Sequence, residues 1–330
     1  MKSIVSSNAN IFKPLAIFCI AFGHFLGSSK TDFYFFNYWW NLDTISLLYF
    51  STCSAYFTDI KYFNNFICKE FWKNKIGRLG VKLIVINLFL LLVFVLRSND
   101  NVFSFYSVVN MIGMGGLLNW LHIKNISPFG AGTWFLTVLL FFYALYPVLR
   151  RLCLTEYRVY LISIIVATLL ILDRYYSFGY MLWLTICGYF VGLYFSREEY
   201  LLRIINIKRI LFCVIFVLIL FLTLNFFNIK FLNGLFLLML GSLLFLLTFL
   251  YDFSCTFLKY FKYFNFAVFE IYMIHQYFFI LRYNNLFVNL FLSAVIFLSI
   301  SLALAYLSRW VMNQLRKLEK FPEKIASRSV

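Results

Sequence analysis

Long apolar runs separated by short polar clusters follow one another along the whole chain, and runs of that length suit helices that cross a bilayer core. Ten of them read as spans: residues 11–26, 39–57, 79–96, 132–149, 159–172, 178–195, 210–227, 233–251, 266–281 and 286–307. The pattern predicts an all-α polytopic membrane protein, with residues 1–307 embedded as one membrane domain and 308–330 forming a basic tail. The first run is expected to stay as a span rather than be cleaved, since it lacks a small-x-small cleavage site. The longest connection, 97–131, contains a weakly apolar stretch at 102–121 that reads as an interfacial or re-entrant helix on the outer side, positioned to cap a site. The second span is unusual in carrying Asp43, Ser46, Ser51, Thr52 and Ser54, a polarity that predicts contact with other helices or a cavity.

Composition sharpens this picture. The 330 residues are 63% hydrophobic and 13% charged, which excludes an ordinary soluble domain. A net charge of +16 would suggest nucleic acid in a soluble protein, but here the cations lie between apolar runs, where cytoplasmic loops meet anionic lipid. With the N-terminus inside, 21 of the 29 lysines and arginines face the cytoplasm and 6 face outward, namely Lys30, Arg97, Lys124, Arg174, Lys230 and Arg282. That asymmetry predicts ten spans with both termini cytoplasmic, membrane lipids as partners, and no nucleic acid. The same topology leaves no cysteine in an oxidising compartment, so neither a disulfide nor a metal site is expected.

Three features carry candidate chemistry. Lys13 and His24 lie on the first span; if the run is helical, eleven steps turn through about 1100° and rise about 16 Å, so both side chains point to nearly the same side. Pro14 disfavours α conformation at Lys13, and a helix starting at Pro14 would leave the lysine's direction loose. Lys75 and Arg78, three residues apart where the third span leaves the cytoplasm, present two cations to one ligand. Tyr272, His275, Gln276 and Phe279 follow i, i+3, i+4, i+7 spacing and predict one polar-aromatic face on the ninth span. Asp43 falls at about the depth of His24 and is a candidate for orienting it. A packing role for either histidine, bonded to a neighbouring helix, stays open at this point.

This combination resembles acyltransferase family 3, integral membrane acyltransferases that O-acetylate sugars of surface polysaccharides. The family's Arg-x10-His on the first helix resembles Lys13-x10-His24, with lysine as in the fucose 4-O-acetylase branch. Its Ser-Gly-Tyr resembles Ser54-Ala55-Tyr56, its Arg-x-x-Arg resembles Lys75-x-x-Arg78, its Trp-Phe-Leu helix resembles Trp134-Phe135-Leu136 through Tyr143 and Pro147, and its Tyr-x-x-His resembles Tyr272-Met273-Ile274-His275. Two arginines have become lysines, which replaces a bidentate fork by a point charge.

The resemblance implies a bacterial inner-membrane O-acetyltransferase with acetyl-CoA as donor, bound from the cytoplasm, and a glycan or lipid-linked sugar hydroxyl, of an O-antigen or capsule for example, as acceptor. It implies Lys13, Lys75, Arg78, Trp134 and Tyr272 as the donor-binding set, and His24 with His275 as catalytic candidates beside Asp43, for which no family motif speaks. No metal is implied. Two other classes stay open on the residues alone: a transporter or flippase of lipid-linked sugars, though neither repeat symmetry nor broken helices are evident, and an oligosaccharide polymerase, though the outer loop holds only Arg97 and Lys124. The topology is tested by single-cysteine labelling: a cysteine at Lys124 should react with an impermeant reagent in intact cells and one at Lys69 only after lysis, and the reverse pattern would contradict the ten-span arrangement.

Overall fold

The structure, a computed structural model, describes residues 2–29, 36–175, 182–197, 206–226 and 233–326; Lys30, Arg203, Lys230 and Arg328 of the charge count and the expected start of the sixth span at 178–181 lie outside them. The described elements are α1 (Lys2–Ser28), α2 (Phe36–Tyr62), α3 (Cys68–Leu96), two short helices α4 (Phe105–Met111) and α5 (Gly115–Trp120), α6 (Trp134–Leu152), α7 (Arg158–Tyr175), α8 (Leu182–Phe195), α9 (Ile207–Phe226), α10 (Asn233–Leu250), α11 (Val268–Ile274) and α12 (Leu286–Ala326). There is no strand among the described residues. Stretches in α1, α3, α6, α9, α10 and α12 are long and apolar enough to cross a membrane, and α7 and α8 supply shorter apolar helices. The chain is an all-α polytopic membrane protein.

The centre of the bundle is its most polar long helix. α2 is 27 residues long and buries Asp43, Thr44, Ser46, Ser51, Thr52, Thr58 and Asp59. Hydrocarbon offers no partners to such side chains, so the helix is stable only where other helices surround it. α1, α8 and α10 do this. On α8, Gly188 and Gly192 permit the approach: a Cβ on Gly192 would stand 2.3 Å from the Thr52 carbonyl oxygen, and one on Gly188 would stand 2.0 Å from Ser51 Oγ. Small residues four apart bring backbones together in this way, and the Thr52 hydroxyl donates to the Gly188 carbonyl at 3.1 Å.

At the end of α2, fully buried Asp59 ties three elements. Its Oδ1 accepts from the Tyr146 hydroxyl of α6 at 2.8 Å, and its Oδ2 accepts from Ser196 Oγ at 2.6 Å and from Arg197 Nε at 2.7 Å, just beyond α8. A buried carboxylate is tolerated when its lone pairs are filled by donors of this kind.

α1 starts at Lys2 and runs through Pro14 without stopping, so the possible start at Pro14 is corrected and Lys13 has a fixed helical direction. What holds the extra turns is packing and hydrogen bonding beyond the reach of local propensity. Asn8 donates to the carbonyls of Thr248 and Tyr251 at 2.8 and 2.7 Å and accepts from the Phe253 amide at 3.1 Å, and Asn10 accepts from Asn265 at 2.9 Å.

The ninth span also departs from expectation. Instead of one helix over 266–281, 3₁₀ turns at Phe257–Ala267 lead into α11, and 3₁₀ turns resume at His275–Phe278 before the chain extends at Phe279. The i, i+3, i+4, i+7 face therefore ends early. The unwound backbone finds its partners on α12: Ser293 Oγ accepts from the Ile280 amide at 2.7 Å, while Asn289 accepts from the Tyr283 amide at 3.0 Å and donates to its carbonyl at 2.7 Å. Irregular backbone at membrane depth is viable when protein groups satisfy it in this manner. α12 itself continues unbroken from the tenth span through the basic residues to Ala326.

The segment between α3 and α6 holds two short helices in place of the single helix expected at 102–121, folded by internal polar contacts such as Ser107–Ser127 (2.8 Å) and Asn110–Asn125 (3.2 Å). It is clamped to the unwound ninth span. The Tyr277 hydroxyl accepts from the amides of Gly130 and Ala131 at 2.8 and 3.0 Å, and the Tyr272 hydroxyl donates to the Gly132 carbonyl. Gly130 (φ +109°) and Gly132 (φ +74°) supply the left-handed turns this path needs.

Candidate active site

Two chemically different regions lie along α1, one around Lys13 near its middle and one around His24 near its end. Around Lys13 is a cavity of about 830 Å³ whose lining includes Lys13, Lys61, Lys73, Lys75, Arg78 and Arg316 with Ser54, Thr58, Asn74, Tyr62 and Tyr143, and no acidic side chain. α1, α2, α3, α6 and α12 all contribute to it. The structure thus brings Lys13, Lys75 and Arg78 together in the lining of one cavity; spacing along the chain pairs Lys75 with Arg78, and the family resemblance adds Lys13. Lys75 is the best held: its Nζ donates to Thr58 Oγ1 at 2.8 Å and lies 3.9 Å from the centre of the Tyr143 ring, while Lys13 Nζ lies 5.0 Å from the Phe57 ring centre. Tyr143 is itself within 3.3 Å of Ser54 Oγ. Ring faces attract cations but carry no net charge. Like charges collected on the low-dielectric walls of a cavity make a focused positive potential, and such a cavity favours a polyanion.

Two buried carboxylates, Asp59 and Glu270, are engaged elsewhere. Asp59, at the end of α2, is committed to Tyr146, Ser196 and Arg197. Glu270 on α11 is fully buried and pairs with Lys82 of α3 at 2.8 Å. That pairing gives Lys82 a structural role in joining α3 to α11.

About 16 Å along the helix, His24 meets His275. Their ring centres are 5.3 Å apart with the planes inclined by 38°. His275 is fully buried and His24 partly so. From the cavity lining at Phe50 and Phe135, a row of ring contacts leads to this pair: Phe50 to Phe135 at 6.2 Å, Phe135 to Tyr272 at 5.7 Å, Tyr272 to His275 at 6.3 Å. Trp134 and Tyr272 are not among the residues lining the cavity; both are buried, Trp134 packing edge-on against Phe135 and Tyr272 holding the Gly132 carbonyl. Asp43 is buried with its carboxylate against Gly23, where a Cβ would lie 2.0 Å from Oδ2. Its oxygens make no hydrogen bond among the described residues, so it does not hold the His24 ring through one.

Some of the site escapes sequence reading. Arg316 arrives from the far end of α12 and Lys61 and Thr58 from the end of α2, and no spacing along the chain pairs them with Lys13. Tyr143 stands in the aromatic run after Trp134, but its place beneath the Lys75 ammonium depends on how α6 packs on α3.

A family model described as an acyltransferase domain, that of acyltransferase family 3, matches residues 7–310. Neither a curated protein nor a solved structure matches the chain. The cavity itself yields a prediction: purified protein should bind ADP, used as a simple polyphosphate probe, with affinity that falls as salt rises. Lys75→Met and Arg78→Met should each weaken that binding about tenfold, as expected for one charge-assisted hydrogen bond. Salt-independent binding unchanged in both variants would contradict an electrostatic anion site.

Proposed function

Because the chain belongs to acyltransferase family 3, we propose that this membrane acyltransferase moves an acetyl group from acetyl-CoA to a hydroxyl of a cell-surface polysaccharide sugar, in a bacterial cytoplasmic membrane. Family membership sets aside the transporter and polymerase readings. The observation that carries the proposal is the pairing, on one helix, of an acid-free cationic cavity with a histidine pair three turns away.

The division of labour follows from chemistry. Acetyl-CoA is a polyphosphate joined by a long flexible arm to a thioester, so its anionic head fits the Lys13, Lys75 and Arg78 wall while the arm reaches past Phe135 toward the histidines. Lysines at 13 and 75 act as mobile point charges, and Arg78 adds a planar fork. The charge asymmetry of the loops puts the cavity on the cytoplasmic side, where the donor is found, and the histidine pair toward the outer side, where a glycan or lipid-linked sugar is presented.

In the transfer, neutral His24 takes the proton of the acceptor hydroxyl as its oxygen attacks the thioester carbonyl. A carbon–oxygen bond forms, the carbon–sulfur bond breaks, and the His24 proton passes to the leaving thiolate, giving an O-acetyl ester and CoA. Limiting the access of water around fully buried His275 and partly buried His24 protects the thioester from hydrolysis.

His24→Gln tests this reading, because an amide can keep a structural hydrogen bond but cannot accept a proton near neutral pH. Acetyl incorporation into surface glycan, followed by mass spectrometry, should fall by on the order of 10²- to 10⁴-fold with membrane abundance unchanged. Near wild-type acetylation in the Gln variant would remove His24 as the base.

A further inference from the structure

Two cations of the cavity lining stand outside the Lys13, Lys75 and Arg78 set: Lys61, in the last turn of α2, and Arg316, where α12 continues past the tenth span. Their levels follow from the helices that carry them. Lys13 Nζ stands over the Phe57 ring, and Lys61 lies about one turn beyond Phe57 toward the end of α2. Lys61 and Lys75 share a ring, their Nζ atoms 5.0 and 5.8 Å from the centre of Tyr62. Arg316 is placed through α3, against which α12 packs. Phe266 touches both helices: its carbonyl accepts from Lys82 Nζ at 3.2 Å, and the Arg309 guanidinium lies 4.3 Å from its ring centre. From that common level, Arg316 is seven residues on along α12 and Lys75 is seven residues back along α3. Seven residues make about two turns, or about 10 Å, on nearly the same helix face. The charge asymmetry has α3 leaving the cytoplasm and α12 returning to it, so both steps lead the same way and Arg316 comes to the level of Lys75. Arg78 lies about one turn deeper.

The lining therefore has an inner level at Lys13 and Arg78, a mouth at Lys61 and Arg316, and Lys75 between them. Acetyl-CoA presents its anionic groups in a matching order. Beyond the thioester and its arm comes the pyrophosphate, and beyond that the ribose with its 3′-phosphate. An arm directed toward the histidines brings the pyrophosphate to the inner cations and leaves the ribose at the mouth. We propose that Lys61 and Arg316 bind the 3′-phosphate of the donor, and that the cavity thereby selects CoA over pantetheine thioesters lacking that group, such as 3′-dephospho-CoA and acyl carrier protein. This assignment rests on the cavity being the acetyl-CoA site. A phosphate monoester carries about two negative charges near neutral pH; Arg316 meets it with a planar fork and Lys61 with a point charge. A cation that only marks topology needs a place in a cytoplasmic loop, whereas these two line the cavity.

The test is calorimetric titration of the purified full-length protein, in lipid nanodiscs, with CoA and with 3′-dephospho-CoA. Wild type should bind CoA about tenfold or more tightly than the dephospho form, the contrast expected for charge-assisted hydrogen bonds to one phosphate. Lys61→Met and Arg316→Met should each weaken CoA about tenfold and leave 3′-dephospho-CoA unchanged, while Arg78→Met should weaken both ligands alike. Lys61 and Arg316 are exposed, so their replacement leaves the packing of the bundle alone. Arg316→Lys keeps the charge and should retain part of the preference for CoA.

Equal affinity of wild type for the two ligands would overturn the proposal, and that comparison needs no variant. Equal losses of both ligands in Lys61→Met and Arg316→Met would overturn it as well. Failure of wild type to bind either ligand, or an Arg78→Met variant that binds both as wild type does, would instead defeat the donor reading of the cavity.

Discussion

Everything in this molecule depends on enclosing α2. A helix with Asp43, Thr44, Ser46, Ser51, Thr52, Thr58 and Asp59 buried along it cannot face lipid, so α1, α8 and α10 are drawn around it. The glycines of α8 bring the backbones into contact, and the Asp59 cluster pins α2 to α6 and to the end of α8. Because α2 is held there, Thr58 stands beneath Lys75 and Ser54 beside Tyr143, on the wall of the cationic cavity. Because α1 lies against α2, Lys13 and His24 fall three turns apart along its length. The constraint that makes the bundle fold also lays out the site.

The chemistry of that path rests on an imbalance. Cations gathered on one lining repel one another, and the fold holds Lys75 and Lys13 there by a hydrogen bond and ring contacts that do not cancel their charge. The polyanionic donor proposed for this cavity would bring counter-charge to them, so that its binding would relieve the repulsion. At the histidine end the logic is reversed. The ring contacts there are aromatic, and the carbonyls of Ile271 and Tyr272 lie within hydrogen-bond reach of the His275 ring. Grip by charge at one end and acid–base work in a dry setting at the other is a division that one helix can carry.

How much of this was legible in the sequence depends on the range of the interaction. Spans are set by local hydropathy, and among the described residues nine of the ten apolar runs fall on single α-helices while the ninth is broken. Lys13, His24, Lys75 and Arg78 follow from spacing, because a helix converts spacing into direction. Features set by distant partners did not show. Nothing near His275 in the chain announces that α11 stops at Ile274, since the groups that satisfy the unwound stretch are Asn289 and Ser293 on the next helix. Lys82 reads as an oddity within a span until Glu270 is beside it. Pro14 argues for a helix start by local preference, and the contacts of Asn8 and Asn10 overrule it.

The central claim is that donor and acceptor chemistry meet along α1, and it is most directly examined by a cryo-electron microscopy structure of the protein in lipid with CoA bound. The account predicts density for the phosphates among Lys13, Lys75 and Arg78 and for the arm running past Phe135, with the sulfur toward His24. Phosphate density away from those three cations, or an arm that leaves the cavity without approaching His24 and His275, would contradict it.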